Sequence, residues 1–266
     1  MSFRDTLANR SAAVYADFLV PHLNSSTRLL DCGCGAGSVT VGLAPFVRWV
    51  VGLDLSPAAL RPAVSYLASE AIDNVRFIAG NGAQLPFAGE TFDAVLMHSV
   101  LEAAIDPSGL VREARRVLVP GGLLAAASVE YGGRILAGPH RETLDRFYAV
   151  RERLWSLDRV ARPRAGRELR QLLHGCGFTN IEATAQYLSY GTPDAVKSFG
   201  EARAGDCEDP WFASRSLAHR LLTEEELLET QRAWQEWSRS PDSFLAFAWC
   251  RAVGRKPVVA DWELRS

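Results

Sequence analysis

The stretch LLDCGCGAGS, residues 29–38, places three glycines between an apolar run and a second segment with apolar positions. Glycines at a tight turn let the backbone approach a ligand closely, and the amides of a following helix N-terminus face that ligand. The stretch therefore predicts a buried strand, a glycine loop and a helix. Three ligands fit this pattern: a metal held by the cysteines, a dinucleotide, and another nucleotide-like cofactor.

The first half of the chain alternates short apolar, β-branched runs with helical patterns. This alternation predicts an α/β fold with a doubly wound, mostly parallel sheet. Strands are predicted in TRLLDC, RWVVGLDL, VRFIAG, FDAVLMHS and LLAAASVE. Helices are predicted over residues 38–43, 57–71 and 110–118, and an amphipathic helix over 6–23 precedes the first strand.

The rhythm changes after Glu130, where an Arg-rich segment predicts two helices broken near Pro163. We expect one domain, in which residues 1–130 hold the N-terminal helix and the ligand-binding half of the sheet. Residues 131–266 then contribute the last strands, at about 181–190 and 243–254, and helical cap insertions at about 131–160 and 193–239. The Trp residues of the second half could line a hydrophobic ligand pocket or form the core of the cap.

The spacing of the glycines separates the candidate cofactors. A dinucleotide loop of the form G-x-G-x-x-G needs a third glycine where this chain has Ser38, and no Gly-Lys-Ser/Thr of a P-loop is present. Asp31 ends the first predicted strand, two residues before Gly33. A carboxylate at this place suits a cationic group, such as a sulfonium or an ammonium, better than a pyrophosphate.

With Asp31 and the three glycines in place, the stretch resembles motif I of the class I S-adenosylmethionine-dependent methyltransferases. The resemblance covers the first half of the chain and is closest to the methyltransferase type 11, ubiquinone-biosynthesis-like small-molecule group. It implies a Rossmann-like, seven-stranded sheet whose last strand is antiparallel. It also implies S-adenosylmethionine as the cofactor and S-adenosylhomocysteine as the product.

Later motifs continue the resemblance in the family's order. Asp54 matches the acid that accepts hydrogen bonds from both ribose hydroxyls, and Leu55 matches the apolar residue that stacks on the adenine. Asn81, with Gly82 beside it, replaces the usual Asp that receives the adenine amino group, and an amide oxygen can still accept that bond. The cofactor-binding residues that the resemblance implies are Asp31, Gly33, Gly35, Gly37, Asp54, Leu55, Asn81, Gly82 and His98.

The residues around the transferred methyl group are less defined. His98 could act as a general base or form a wall of the cofactor pocket, and Ala103 stands where many relatives have a histidine that could assist it. Tyr15 could close over the methionine end, and His140 could contact the substrate. Because the chain shows no committed base, the catalytic residue stays unassigned.

Two alternatives use residues outside this pattern. Cys32 and Cys34 form a C-x-C without a second pair, so small residues filling a crowded turn explain them better than a metal, and no metal is predicted. Arginines between Arg141 and Arg170 could track RNA, but they alternate with acidic residues, which favours a solvated, ion-paired helix face.

Composition limits the partners further. A net charge of -2 gives no general attraction to nucleic acid, and no apolar segment reaches the length of a membrane span. Without a recognisable signal peptide, we expect the cytoplasm. The predicted function is methyl transfer to a small-molecule acceptor at an O, N or C atom. An RNA-directed methyltransferase and a cofactor-binding module without methyl transfer are the alternatives, and the oligomeric state stays open, a homodimer included.

Overall fold

The computed structural model describes residues 11–70, 72–158 and 161–258. In chain order, the strands are β1 (Arg28–Cys32), β2 (Trp49–Asp54), β3 (Val75–Ala79), β4 (Phe92–His98), β5 (Leu118–Ala137), β6 (Thr179–Tyr190) and β7 (Phe244–Arg255). The helices are α1 (Ala12–Tyr15), α2 (Ser38–Leu43), α3 (Pro57–Glu70), α4 (Pro107–Val117), α5 (Arg141–Asp158), α6 (Leu169–Gly175), α7 (Pro193–Asp206), α8 (Pro210–Ala218) and α9 (Glu224–Trp237).

The seven strands form one sheet in the order β3-β2-β1-β4-β5-β7-β6. The first five are parallel in register, with Asp31 of β1 opposite Gly52 of β2 and Leu96 of β4. The last strands are antiparallel, which confirms the predicted Rossmann-like sheet. β1 lies between β2 and β4. From β1 the chain adds β2 and β3 on one side and then crosses to add β4 and β5 on the other. Ligands of such folds bind at the carboxyl ends of the strands where this change of direction occurs.

The chain divides into two compact units. We call one the sheet unit, which comprises the described residues among 11–128, 165–185 and 250–258. The other, the helical unit, comprises those among 129–164 and 186–249. The sheet unit carries β1 to β4 and their helices, and the helical unit carries α5 and α7 to α9.

Both faces of the sheet in the sheet unit are buried. Leu30, Val95 and Met97 face one apolar cluster, whereas Leu29 and Leu96 face the other. Alternate residues of one strand point to opposite faces, so a strand covered on both sides is apolar at most of its positions. This is why the central residues of β1 and β4 are apolar, and why the sheet holds the residues at its carboxyl edge in fixed positions.

The helices begin at residues that satisfy their first N–H groups. Asp106 accepts a bond from Gly109 N–H at the start of α4, and Thr223 forms a capping box with Glu226 at the start of α9. Asp209 starts α8, and the predicted helical stretch over 193–239 consists of three helices. Each side-chain cap is worth about 1 kcal/mol.

Two predicted elements differ from the structure. The described part of the predicted helix over 6–23 holds only α1, which ends at Tyr15, and a short 3₁₀ turn, Val20–His22, that contains Pro21. Residues 6–10 lie outside the described residues. The first cap insertion was predicted from residue 131, but β5 continues to Ala137 and α5 begins only at Arg141.

Candidate functional site

The glycine loop connects β1 to α2 at the carboxyl edge of the sheet. Gly33, Gly35 and Gly37 have φ angles of 83°, 55° and 78°, a left-handed backbone that costs other residues about 1–2 kcal/mol. The N–H groups of Gly33 and Cys34 donate to Leu53 O at 2.6 and 3.0 Å, which holds the loop against the end of β2. The predicted tight turn is therefore confirmed.

The three glycines face different surroundings. A Cβ atom on Gly33 would lie 2.3 Å from Val100 Cγ2, and one on Gly37 would lie 2.5 Å from Phe77 Cζ. Among the described residues, by contrast, no atom lies within 4 Å of a Cβ placed on Gly35. Gly33 and Gly37 are thus required by packing, whereas Gly35 borders open space.

Asp54 joins the glycine loop to the end of β2. Its Oδ2 accepts a hydrogen bond from Gly35 N–H at 2.8 Å, and its Oδ1 accepts one from Ser56 N–H at 2.9 Å. An ionised carboxylate has about four acceptor positions. Asp54 can therefore accept two further bonds, the number that a vicinal diol donates.

Asp31 is buried beneath the same loop. Thr40 Oγ1 donates to Asp31 Oδ2 at 2.6 Å. Burial raises the pKa of Asp31 to about 6, the Thr40 hydrogen bond opposes part of that rise, and the negative charge of Asp54 adds to it. Ionised Asp31 is costly in this position, so a nearby cation would be strongly favoured. Sequence reasoning missed Thr40, which lies in α2 nine residues after Asp31.

Leu55, Asn81 and Gly82 lie in the loops that follow β2 and β3. Leu55 is 74% exposed, so its apolar side chain is accessible to a ligand. Asn81 Oδ1 accepts a bond from Ala83 N–H at 2.9 Å and keeps one acceptor position. A Cβ on Gly82 would lie 2.8 Å from Cys32 Sγ, so the β3 loop packs directly against the end of β1.

His98 ends β4 and is buried. Its ring meets that of Tyr15 edge to face, with the ring centroids 5.2 Å apart and the planes at 88°. The structure therefore brings together two residues that the sequence proposed separately, one for the cofactor and one for the substrate. His140 belongs to the helical unit, where its Nε2 lies 2.7 Å from Glu236 Oε2.

The cysteines near the loop have no feature of a reactive or metal-binding thiol. Burial raises the pKa of Cys32 to about 12 and that of Cys34 further, and the charges of Asp31 and Asp54 add to both rises. Such thiols stay protonated, and it is the thiolate that binds metal or attacks. Within the described part of the chain, no three His, Cys, Asp or Glu side chains form a group that could hold a metal ion.

The Trp and Arg residues of the second half differ in how far they are buried. Trp234 and Trp237 are fully buried in the helical unit and form its core. Arg141 and Arg146 are exposed and paired with Asp145 and Glu226, as predicted for a solvated face. Arg151 is buried instead, which the alternation of charges in the sequence could not show.

Known proteins with similar sequences support this fold and the site at the carboxyl edge of the sheet. A family model described as a methyltransferase domain matches residues 30–126. An uncharacterized methyltransferase of Schizosaccharomyces pombe is 33% identical over 135 residues, which are 47% of this chain and 48% of that protein. The match thus spans about half the length of that relative. A demethylmenaquinone methyltransferase of Tropheryma whipplei is 30% identical over 178 residues, 64% of this chain and 72% of that protein.

Solved structures share the fold. The YcgJ protein of Bacillus subtilis has a TM-score of 0.62 at 19% identity and covers 91% of this chain and 98% of its own. A phosphoethanolamine N-methyltransferase of Haemonchus contortus, solved with S-adenosyl-L-methionine, has a TM-score of 0.58 at 18% identity and covers 93% of this chain and 52% of its own.

The sheet order and the glycine loop at its edge define a Rossmann-like methyltransferase fold. Together with the relatives, they show that the chain belongs to the class I S-adenosylmethionine-dependent methyltransferases. No described helix combines the length and the apolar character that a bilayer crossing demands.

Proposed function

We propose that this protein transfers the methyl group of S-adenosylmethionine to a small-molecule acceptor. The observation that carries the proposal is the arrangement at the carboxyl edge of the sheet, where an open Gly35 adjoins the two carboxylates of Asp31 and Asp54. Two carboxylates suit a cofactor that carries a sulfonium and an ammonium better than one that carries phosphates.

The residues divide the binding task by their chemistry. Asp54 accepts hydrogen bonds from the two ribose hydroxyls, and exposed Leu55 covers the adenine. Asn81 Oδ1 accepts a hydrogen bond from the adenine amino group. Buried Asp31 and the glycine loop hold the cationic methionine end. When bound, S-adenosylmethionine supplies a methyl group activated by its sulfonium. His98 and Tyr15 form a wall beside it, and exclusion of water together with alignment of the acceptor supplies the acceleration.

Two observations favour a small acceptor over RNA. Several arginines of the helical unit pair with acidic side chains, as Arg134 does with Asp145 and Glu152, which reduces the positive charge that a track for RNA would need. In addition, the relative from Tropheryma whipplei bears the name of an enzyme acting on demethylmenaquinone, a small molecule.

Calorimetric titration with S-adenosylmethionine tests the cofactor assignment. We expect one site per chain in the wild type and no detectable binding in Asp54→Ala, because the ribose loses both acceptors. Asp73→Ala, which removes an exposed aspartate of the same unit, is the matched control and retains binding. Asp54→Asn keeps the side-chain volume and guards against misfolding, and we expect it to bind at least tenfold more weakly. Wild-type affinity in both Asp54 variants would refute the assignment.

A further inference from the structure

Thr40 lies in the middle of α2, on the buried face of that helix. Its side chain is fully buried, and Val39 and Leu43 of the same helix are buried with it. A threonine in a helix can bond to a backbone carbonyl of the preceding turn. Thr40 instead donates through Oγ1 to Asp31 Oδ2 at 2.6 Å, nine residues earlier in the chain. Its hydroxyl is therefore directed at the carboxylate near the end of β1 rather than at its own helix.

The carboxylate of Asp31 depends on this one side chain. Of the residues that the structure describes, Thr40 supplies the one side-chain hydrogen bond that Asp31 accepts. Asp31 is only 2% exposed, and the negative charge of Asp54 adds to the effect of burial in opposing its ionisation. A buried carboxylate stays ionised only where donors or cations compensate for the lost water. Removal of the Thr40 hydroxyl therefore favours the protonated form of Asp31.

Asp54, the second carboxylate of the site, is held in a different way. Its two oxygens accept from the backbone N–H groups of Gly35 and Ser56, at 2.8 and 2.9 Å. Backbone donors persist whatever side chain occupies those positions, whereas the donor to Asp31 disappears with a single substitution. The residue at position 40 thus controls one carboxylate of the site and leaves the other unaffected.

The state of Asp31 matters for a ligand at the glycine loop. This loop begins two residues after Asp31, and its Gly35 borders open space. A carboxylate binds an ammonium strongly only when it is ionised, and a side chain that is already oriented loses less freedom on binding. The bond from Thr40 meets both requirements, because it uses one of the four acceptor positions of the carboxylate and leaves the others for the ligand.

We propose that Thr40 is a positioning residue for cofactor binding, which keeps Asp31 ionised and oriented toward the ammonium at the methionine end of the cofactor. The inference deepens the proposed function and rests on it, because it names the residue that prepares Asp31 for that end. Thr40 acts through Asp31 and has no need to touch the cofactor. A purely structural role of Thr40, by contrast, would affect every ligand of the site alike.

Two ligands that share a nucleoside separate these roles. S-Adenosylhomocysteine carries the amino acid end with its ammonium, and 5′-methylthioadenosine has the same adenine, ribose and thioether sulfur without that end. Calorimetric titration of the full chain at neutral pH measures the affinity for each. Thr40→Val has nearly the same volume as the native residue but no hydroxyl. We expect it to bind S-adenosylhomocysteine at least tenfold more weakly, and 5′-methylthioadenosine within twofold of the wild-type affinity.

Further variants identify the group responsible. Thr40→Ser keeps the hydroxyl and should bind S-adenosylhomocysteine within threefold of the wild-type affinity. Asp31→Asn removes the charge but preserves the shape, and it should reproduce the pattern of Thr40→Val because Thr40 acts through that carboxylate. Thr40→Ala is a second variant without the hydroxyl and replaces Thr40→Val where the latter does not fold. An unchanged affinity for 5′-methylthioadenosine reports an intact site in each variant.

The outcomes keep the two proposals apart. Equal losses for both ligands in a folded Thr40 variant, an unchanged affinity for S-adenosylhomocysteine, no rescue by Thr40→Ser, or wild-type binding by Asp31→Asn would overturn the inference. In each of these cases the wild type still binds both ligands, so the proposed function stands. A wild type that binds neither ligand refutes the cofactor assignment itself, and the inference falls with it.

Discussion

The polar side chains at the glycine loop of the sheet unit are hydrogen-bonded within the protein, whereas two buried donors in the core of the helical unit are not. At the edge of the sheet unit, Asp54 is held by the N–H groups of Gly35 and Ser56, and Asp31 is held by Thr40. In the helical unit, Tyr148 and Trp234 keep unpaired donors among buried rings. The first site is fixed by the backbone of adjacent loops, whereas the second depends on side chains from distant segments.

The largest loss of stability is expected from Asp206→Ala. The variant leaves the buried guanidinium groups of Arg151 and Arg203 without their common carboxylate, and breaking a buried ion pair costs about 3–5 kcal/mol. The free energy of unfolding, measured by urea denaturation, should fall by that amount. A loss within experimental error would mean that the charges of the helical unit are well solvated.

Gly33→Ala tests whether the left-handed backbone and the close packing of the glycine loop require glycine. The new Cβ would lie 2.3 Å from Val100 Cγ2 on a backbone with φ of 83°. Left-handed strain and overpacking together predict a loss of about 2–4 kcal/mol in the free energy of unfolding. Gly175→Ala, where no described atom lies within 4 Å of the new Cβ, is the control and should be neutral or stabilising. Equal effects of both variants would contradict the account of the loop.

The pH dependence of stability probes Asp31. Its pKa is about 6 in the folded protein, against about 3.9 in an unfolded chain, so the folded state binds more protons between these values. The free energy of unfolding of the wild type, relative to Asp31→Asn, should therefore fall as the pH rises from about 4 to about 6. The fall should reach up to about 3 kcal/mol and then level off. Urea denaturation of both proteins across this range checks it, and a difference that rises with pH would reverse the assignment.

The smallest effect is expected at an exposed ion pair. Arg112 and Asp106 are 62% and 63% exposed, with Nη2 3.3 Å from Oδ2. Exposed pairs contribute less than about 1 kcal/mol, so Arg112→Ala should change the free energy of unfolding only slightly. Urea denaturation of Arg112→Ala and Asp206→Ala under the same conditions compares an exposed ion pair with a buried one. Similar losses in the two variants would show that burial is not the deciding factor.

The sequence predicts the sheet unit well because its signals are local. The parallel strands consist mostly of apolar residues, and Gly33, Gly35 and Gly37 stand within five residues of one another. The tight turn that they predict is the one observed. Thr40 escaped prediction because a Thr in a short helix gives no sign that it donates to a carboxylate beneath the loop.

The contacts of the helical unit could not be predicted from sequence because they join residues that are far apart along the chain. His140 meets Glu236, 96 positions along the chain, and Arg151 meets Asp206, 55 positions along. An alternating pattern of charges indicates an exposed face, and Arg141 follows it while Arg151 does not. Arg151 is buried where it pairs with Asp206 at the end of α7, and no short window of sequence contains both residues.

Methyl transfer itself is the most direct test of the central claim. The purified protein would be incubated with S-adenosylmethionine and either the low-molecular-weight fraction of a cell extract or purified RNA, and S-adenosylhomocysteine would be measured by mass spectrometry. We predict that it forms with the low-molecular-weight fraction, and neither with RNA nor with Asp54→Ala. Product with RNA alone, or none with either fraction from a protein that binds the cofactor, would contradict small-molecule methyl transfer.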